Sequence, residues 1–219
     1  MTDLFSQDGA EVLPLEGACV TLHRSPDLGA QPADLFDGLF RSLAWREESI
    51  VLFGKHMLQP RMLACYGDPD AVYHDSGLRH EPLPWTETLE ALRRCVEALC
   101  GTAFNSALAN LYRNHRDSMG LHADDEPELG AQPVIASLSL GEERAFRFKH
   151  RYRRDLKPVR LVLPSGSLLV MAGDTQRYWK HELPKQTRPC GPRINLTFRY
   201  IQPGSRSPLG RSVAARRGS

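Results

Sequence analysis

Apolar positions recur at helical spacing in two stretches of the first hundred residues. Leu35, Phe36, Leu39, Phe40 and Leu43 follow Pro32, and this stripe predicts a helix with proline in its first turn, where the missing N–H is harmless. Leu89, Leu92, Val96 and Leu99 repeat the pattern between Thr86 and Gly101. Threonine suits an N-cap, and glycine suits the left-handed position just past a helix end. From residue 104 onward the period falls to two, in short runs at 107–113, 134–140, 145–149, 159–163, 167–171 and 193–200 separated by Gly and Pro. Helices first and strands afterwards, without βαβ alternation, predict a mostly β protein with N-terminal helices packed on one face of a sandwich or barrel. Residues 1–30 carry Pro14, Gly17, Pro26 and Gly29 and little pattern, so a loosely ordered arm is expected there. Residues 202–219, dominated by Gly, Ser, Pro and Arg, read as a disordered tail. One domain over 31–201 remains.

Composition narrows this picture. At 219 residues the chain has room for one core. No run of 18 apolar residues occurs and no basic start leads into an apolar segment, so neither a membrane span nor a secretory leader is expected. The five cysteines are widely spaced and odd in number. That argues against a disulfide framework or a thiolate zinc site and for a reducing compartment, cytoplasm or, in a eukaryote, nucleus. The net charge of +2 points to no partner, yet residues 144–160 hold eight Lys or Arg against the single acid Asp155. Such a segment is either a solvated hairpin or a strip for phosphate contacts, and the imbalance fits the strip better.

Candidate chemistry centres on His122-Ala123-Asp124. Residues two apart in extended chain share a face, so an imidazole and a carboxylate can reach one ion. Two His and one carboxylate on one side of a metal, with the opposite positions open, characterise non-haem Fe(II) oxygenases. His181 is the best third ligand because it precedes the last strand, which allows a hairpin-like return. An HxD triplet alone is weak evidence, since ordinary surface usage explains most of them. The last run adds to it: Arg193, Asn195, Thr197 and Arg199 alternate with Ile194, Leu196, Phe198 and Tyr200. Either this strand is half exposed with two solvated arginines, or its guanidinium forks bind carboxylates beside a metal.

Together, Asn110-Leu-Tyr112, His122-Ala-Asp124, His181 and Arg193-Ile-Asn-Leu-Thr-Phe-Arg199 resemble the AlkB family of Fe(II)/2-oxoglutarate dioxygenases, in particular the branch of the human double-strand DNA repair homologue. The similarity runs from about Val51 to Ile201 and includes Pro60-Arg61, Cys65-Tyr-Gly-Asp68, His122-Ala-Asp-Asp-Glu126 and Pro133-Val-Ile-Ala-Ser137. It implies a double-stranded β-helix (jelly-roll) core with Fe(II) on His122, Asp124 and His181. It also implies 2-oxoglutarate on Arg193 with Asn110, Tyr112 and Asn195, and Arg199 completing the arginine pair through Asp124. The implied reaction uses O2 to demethylate 1-methyladenine and 3-methylcytosine in DNA oxidatively, releasing formaldehyde, succinate and CO2. The alternative is an oxygenase acting on RNA, protein or a small molecule. A monomer is expected, with DNA carrying N-alkylated bases as the partner, and RNA as the alternative polymer.

The resemblance further implies a finger at Phe53 and Gly54 that wedges into the base stack, where the apolar run alone reads equally well as a buried strand end. Tyr73 and Ser76 match a base-recognition lid, while Asp75 stands where an aromatic residue is usual in the family. Arg61 and Asp125 join the expected substrate contacts. Glu126 matches a carboxylate that accepts from an exocyclic amine of the target base, although its own sequence reads equally as an exposed acid in a turn.

Overall fold

A computed structural model describes residues 9–52, 55–75 and 78–202. In chain order the elements are β1 (Ala10–Val12), β2 (Cys19–His23), α1 (Pro32–Ser42), β3 (Arg46–Leu52), β4 (Lys55–Gly67), β5 (Tyr73–Asp75), β6 (Leu78–His80) and α2 (Glu87–Cys100). They continue with β7 (Ser106–Tyr112), β8 (Met119–His122), β9 (Ile135–Gly141), β10 (Arg144–His150), β11 (Val159–Leu163), β12 (Leu168–Ala172), α3 (Thr175–Tyr178), β13 (Trp179–Leu183) and β14 (Arg193–Arg199). Among the described residues, an eight-stranded sheet runs β1-β2-β12-β9-β14-β7-β4-β3, a four-stranded sheet runs β11-β10-β13-β8, and β5 pairs with β6. The two larger sheets face each other as a jelly roll.

Both helices form where their apolar stripes lie. In α1, Pro32 occupies the first turn, Asp34 and Arg41 complement the helix dipole, and Leu35 and Leu39 are buried. In α2, Thr86 accepts a hydrogen bond from the Leu89 N–H at 3.2 Å, and Gly101 ends the helix at φ +64°. Both helices cover one face of the larger sheet, where Leu35, Leu39, Leu89, Leu92 and Val96 meet Ala107, Ala109 and Leu111 of β7 and Ile194, Leu196 and Phe198 of β14. The opposite face meets the smaller sheet through Leu108, Ile135, Leu169 and Met171 against Phe146, Phe148, Leu163 and Leu183. Burial contributes roughly 1.5–3 kcal/mol per large side chain, which holds the two layers and their helical cover together.

The expected loose arm is corrected over 10–23. β2 pairs with β12 in register from Cys19↔Ala172 to His23↔Leu168, and Leu13, Leu15, Val20 and Leu22 are buried. Two alternating apolar residues are too short a pattern to announce a strand, yet they complete a sheet edge that would otherwise be open. Strands also precede residue 104. The 13-residue β4 lies between β3 and β7, and its Pro60-Arg61 pair breaks the alternation that would have revealed it. The expected tail beyond residue 202, and Phe53, Gly54 and Ser76, lie outside the described residues, as do the side chains of Tyr73 and Asp75.

Candidate metal and co-substrate site

β14 organises the site. All seven of its residues are buried, so alternation sends Ile194, Leu196 and Phe198 toward the helices and Arg193, Asn195, Thr197 and Arg199 into a cavity between the sheets. The half-exposed reading of this strand is thereby overturned: Arg193 and Arg199 are only 2% and 5% accessible. Asn110 and Tyr112 of β7 line the same cavity, as do His122, Asp124 and His181.

The ligand atoms of His122, Asp124 and His181 all lie within 4.8 Å of one another. His181 does not arrive by a hairpin with β14, as its sequence position had suggested. It sits on β13 in the other sheet, directly paired with His122 on β8, and the two rings are 4.2 Å apart. Asp124 likewise departs from the strand argument, because β8 ends at His122. Its position comes from tertiary contacts: the Arg199 guanidinium donates to its Oδ2 at 3.1 Å, and its own N–H donates to Gln176 Oε1 at 3.0 Å.

The electrostatics suit a divalent cation. Burial alone would raise the Asp124 pKa, but the Arg199 charge, then His181 and His122, outweigh it and hold the carboxyl at about 2. Burial followed by the neighbouring His122 pushes His181 down to about 3, which leaves its imidazole neutral at physiological pH. An ionised carboxylate and a neutral imidazole are the forms in which these side chains bind metal. Phe146 stacks on the His181 ring at 5.4 Å and keeps that side dry.

At the other end of the cavity lies Arg193. Its Nη2 donates to Ser139 Oγ at 2.8 Å and its guanidinium lies 5.4 Å from the Tyr112 ring centre. Its Nε has no hydrogen-bond partner, and among the described residues no carboxylate pairs with it. Burial depresses its pKa to about 10, so it stays charged. A buried, uncompensated guanidinium is costly, which makes it a receptor for an anion that enters the cavity. Asn195 is held by Ser137 Oγ at 2.8 Å and by Thr197 Oγ1 at 3.0 Å. The donor set thus fits Fe(II) at one end and a carboxylate of 2-oxoglutarate at the other.

The substrate-side expectations fare unevenly. Arg61 is not a surface contact: it is 4% accessible and its Nε donates to Asn110 Oδ1 at 2.9 Å, so it braces the cavity wall. Asp125 is exposed and pairs with Arg151 at 2.5 Å, and Glu126, beside it, is half-buried. The basic strip is also thinner than its sequence. Arg144 is 1% accessible and donates to the Asn114, Asp117 and Pro184 carbonyls at 3.2, 3.0 and 2.8 Å. Arg147 pairs with Glu182, and Arg153 with Asp155 and Glu16. Lys149, Arg154, Lys157 and Arg160 remain as exposed bases. Ser139 and Gln176 escaped the sequence reading, and Ser137 entered it only as the end of a motif with no role, because nothing in a lone Ser or Gln announces which atom it will face.

This geometry has a counterpart among known proteins. Residues 28–199 match the model of the 2OG-Fe(II) oxygenase superfamily, and the chain belongs to it. Its curated relatives include AlkB homologues. It is 42% identical over 180 residues to the DNA oxidative demethylase ALKBH2 of Mus musculus, covering 76% of this chain and 75% of that one. It is 39% identical over 180 residues to the alpha-ketoglutarate-dependent dioxygenase alkB homolog 3 of Bos taurus, covering 78% of this chain and 62% of the relative. Against ALKBH2 of Homo sapiens the identity is 42% over 158 residues, and the chain covers 60% of that relative's length. The solved structure of OsALKBH1 superposes with a TM-score of 0.58 at 18% identity, over 87% of this chain and 99% of that one, and so shares the fold. Among the described residues, no helix is long and apolar enough to cross a membrane.

Proposed function

We propose that the chain is a DNA-repair dioxygenase that removes methyl groups oxidatively from 1-methyladenine and 3-methylcytosine. One observation carries the reading: the buried, carboxylate-free Arg193 shares a cavity with the His122, Asp124 and His181 cluster. The similarity to ALKBH2, named a DNA oxidative demethylase, supports the choice of polymer.

His122, Asp124 and His181 would hold Fe(II), which together with 2-oxoglutarate and O2 supplies the oxidation that hydroxylates the N-methyl carbon and yields succinate, CO2 and formaldehyde. Arg193 and Tyr112 bind the co-substrate carboxylate distant from the metal. Asn110, braced by Arg61, and Asn195, braced by Ser137, set its orientation. Arg199 holds the Asp124 carboxylate through Oδ2, which leaves Oδ1, 3.6 Å from His122 Nε2, as the oxygen that would serve the metal. His122, with 27% of its side chain accessible, lies at the mouth, where the flipped base enters. Glu126, two residues past Asp124, accepts from the exocyclic amine of the base, with Asp125 beside it on the substrate side and Tyr73 and Ser76 as the lid. Phe53 and Gly54 form the wedge, so Phe53→Ala should lower turnover on duplex more than on single strands; equal loss on both would assign Phe53 to the core. We further propose that the chain acts as a monomer, with its catalytic unit extended from 31–201 back to residue 10 because β2 belongs to the larger sheet, in a reducing compartment where its five free cysteines are stable.

The test is formaldehyde release from purified protein with Fe(II) and 2-oxoglutarate on methylated single-stranded DNA, double-stranded DNA and RNA oligonucleotides. Lesion loss that needs 2-oxoglutarate and is abolished in His122→Ala is expected. Oxoglutarate turnover without loss of any methylated base would move the substrate to another class.

A further inference from the structure

Among the described residues, Gln176 meets a metal ligand without being one. It lies on α3, is 2% accessible, and its side chain spans two residues of the cavity. Oε1 accepts from the Asp124 N–H at 3.0 Å, and Nε2 donates to the Met171 sulfur at 3.6 Å. Its backbone oxygen accepts from Arg151 Nη1 at 2.9 Å, and the same nitrogen reaches Asp125 at 2.5 Å. Two consecutive residues of the segment after β8 are therefore tethered to α3, Asp124 through the Gln176 amide and Asp125 through Arg151. α3 is itself fixed: Thr175 Oγ1 accepts from Cys19 N at 3.0 Å and donates to the Ala172 carbonyl at 2.6 Å.

We infer that Gln176 is a positioning residue for the metal centre, setting the main chain of Asp124 so that its carboxylate meets both imidazoles; this rests on the metal assignment made above. The need for such a device follows from the backbone. A strand would hold His122 and Asp124 on one face by its own pleat, but β8 stops at His122, and Asp124 has no ladder hydrogen bond to fix it. Arg199 constrains the carboxylate end of the side chain, and Gln176 constrains the peptide at its root. Losing a group that orients a ligand typically weakens metal affinity 10–100-fold.

The experiment is a titration of the full-length, metal-free protein with Co(II), followed by its visible absorption, alongside thermal melts of the same samples. Gln176→Leu removes the acceptor at similar volume and is expected to raise the Co(II) Kd about 10–100-fold and alter the absorption bands, with the metal-free Tm changed by only a few degrees. Gln176→Glu keeps an oxygen in place and is expected to recover most of the affinity. Should Gln176→Leu fail to fold, Met171→Leu carries the test, since it strips Nε2 of its sulfur acceptor: a several-fold rise in Kd supports the role. An unchanged Kd and spectrum in whichever variant folds, with wild type binding tightly, overturns this inference alone. Absence of Co(II) binding by wild type overturns the metal assignment beneath it.

Discussion

Arg193→Met should make the ligand-free protein more stable while abolishing its response to 2-oxoglutarate. Burial holds the guanidinium at a pKa of about 10, and at about 1.4 kcal/mol per tenfold that displacement costs about 3 kcal/mol of folding free energy at neutral pH. The substitution also loses the Ser139 bond, worth about 1 kcal/mol, and the contact with the Tyr112 ring, worth about 0.5–1 kcal/mol. The balance is a gain of about 1 kcal/mol, or a Tm higher by roughly 2–4 °C for a domain of this size. Wild type with 2-oxoglutarate at a hundred times its Kd gains about 2.7 kcal/mol, whereas the variant at the same concentration should gain almost nothing. Thermal melts with and without 2-oxoglutarate, with Mn(II) present to prevent turnover, read both effects. A variant that is less stable than wild type without ligand, and still shifted upward by 2-oxoglutarate, would refute the uncompensated-charge argument.

Other expectations concern residues whose roles the fold reassigns. Arg144→Met removes the donor to three carbonyls and should cost about 3–5 kcal/mol in urea unfolding, while Lys149→Ala stays within about 0.5 kcal/mol. Normal stability with weakened DNA binding in Arg144→Met would restore it as a phosphate contact. Arg199→Leu should destabilise the metal-free protein by about 3–5 kcal/mol because Asp124 is left charged and buried, and adding Asp124→Leu should recover most of that in a double-mutant cycle. Gly141→Ala should lower Tm by roughly 5–10 °C. Its φ is +85°, and a Cβ there would sit 2.6 Å from the Pro192 carbonyl oxygen and 2.7 Å from Phe36.

Periodicity delivered α1, α2 and the strands β7, β9, β10, β11, β12 and β14, because each repeats over several residues and one rule accounts for each, whereas the short β8 and β13, which carry His122 and His181, were not among the runs it picked out. β2 and β4 were invisible for opposite reasons. The first is too short to repeat, and the second passes from exposed at residues 56–58 to buried on both faces from Leu63 onward and is interrupted by Pro60. The candidate metal ligands and the two arginines were legible through the family resemblance, since the HxD triplet and the arginines of the last strand each admit an ordinary surface reading when taken alone. What sequence could not supply was partnership across distance. Arg147 and Arg153 looked unopposed only because Glu182 and Glu16 are remote in the chain, and Asp124 looked like a strand residue because Gln176 lies 52 positions later.

The two-faced burial of β14 also bears on folding fidelity. A slip of one residue against β7 or β9 would drive Arg193 and Arg199 into the hydrocarbon beneath the helices and turn Phe198 into the cavity. Two ions transferred into apolar surroundings cost several kcal/mol each, on the scale of the whole stability of a domain. No near-native misregistered form can therefore accumulate at this strand. A chain that completes its larger sheet has, in the same step, brought its arginine pair into the cavity that gathers His122, Asp124 and His181.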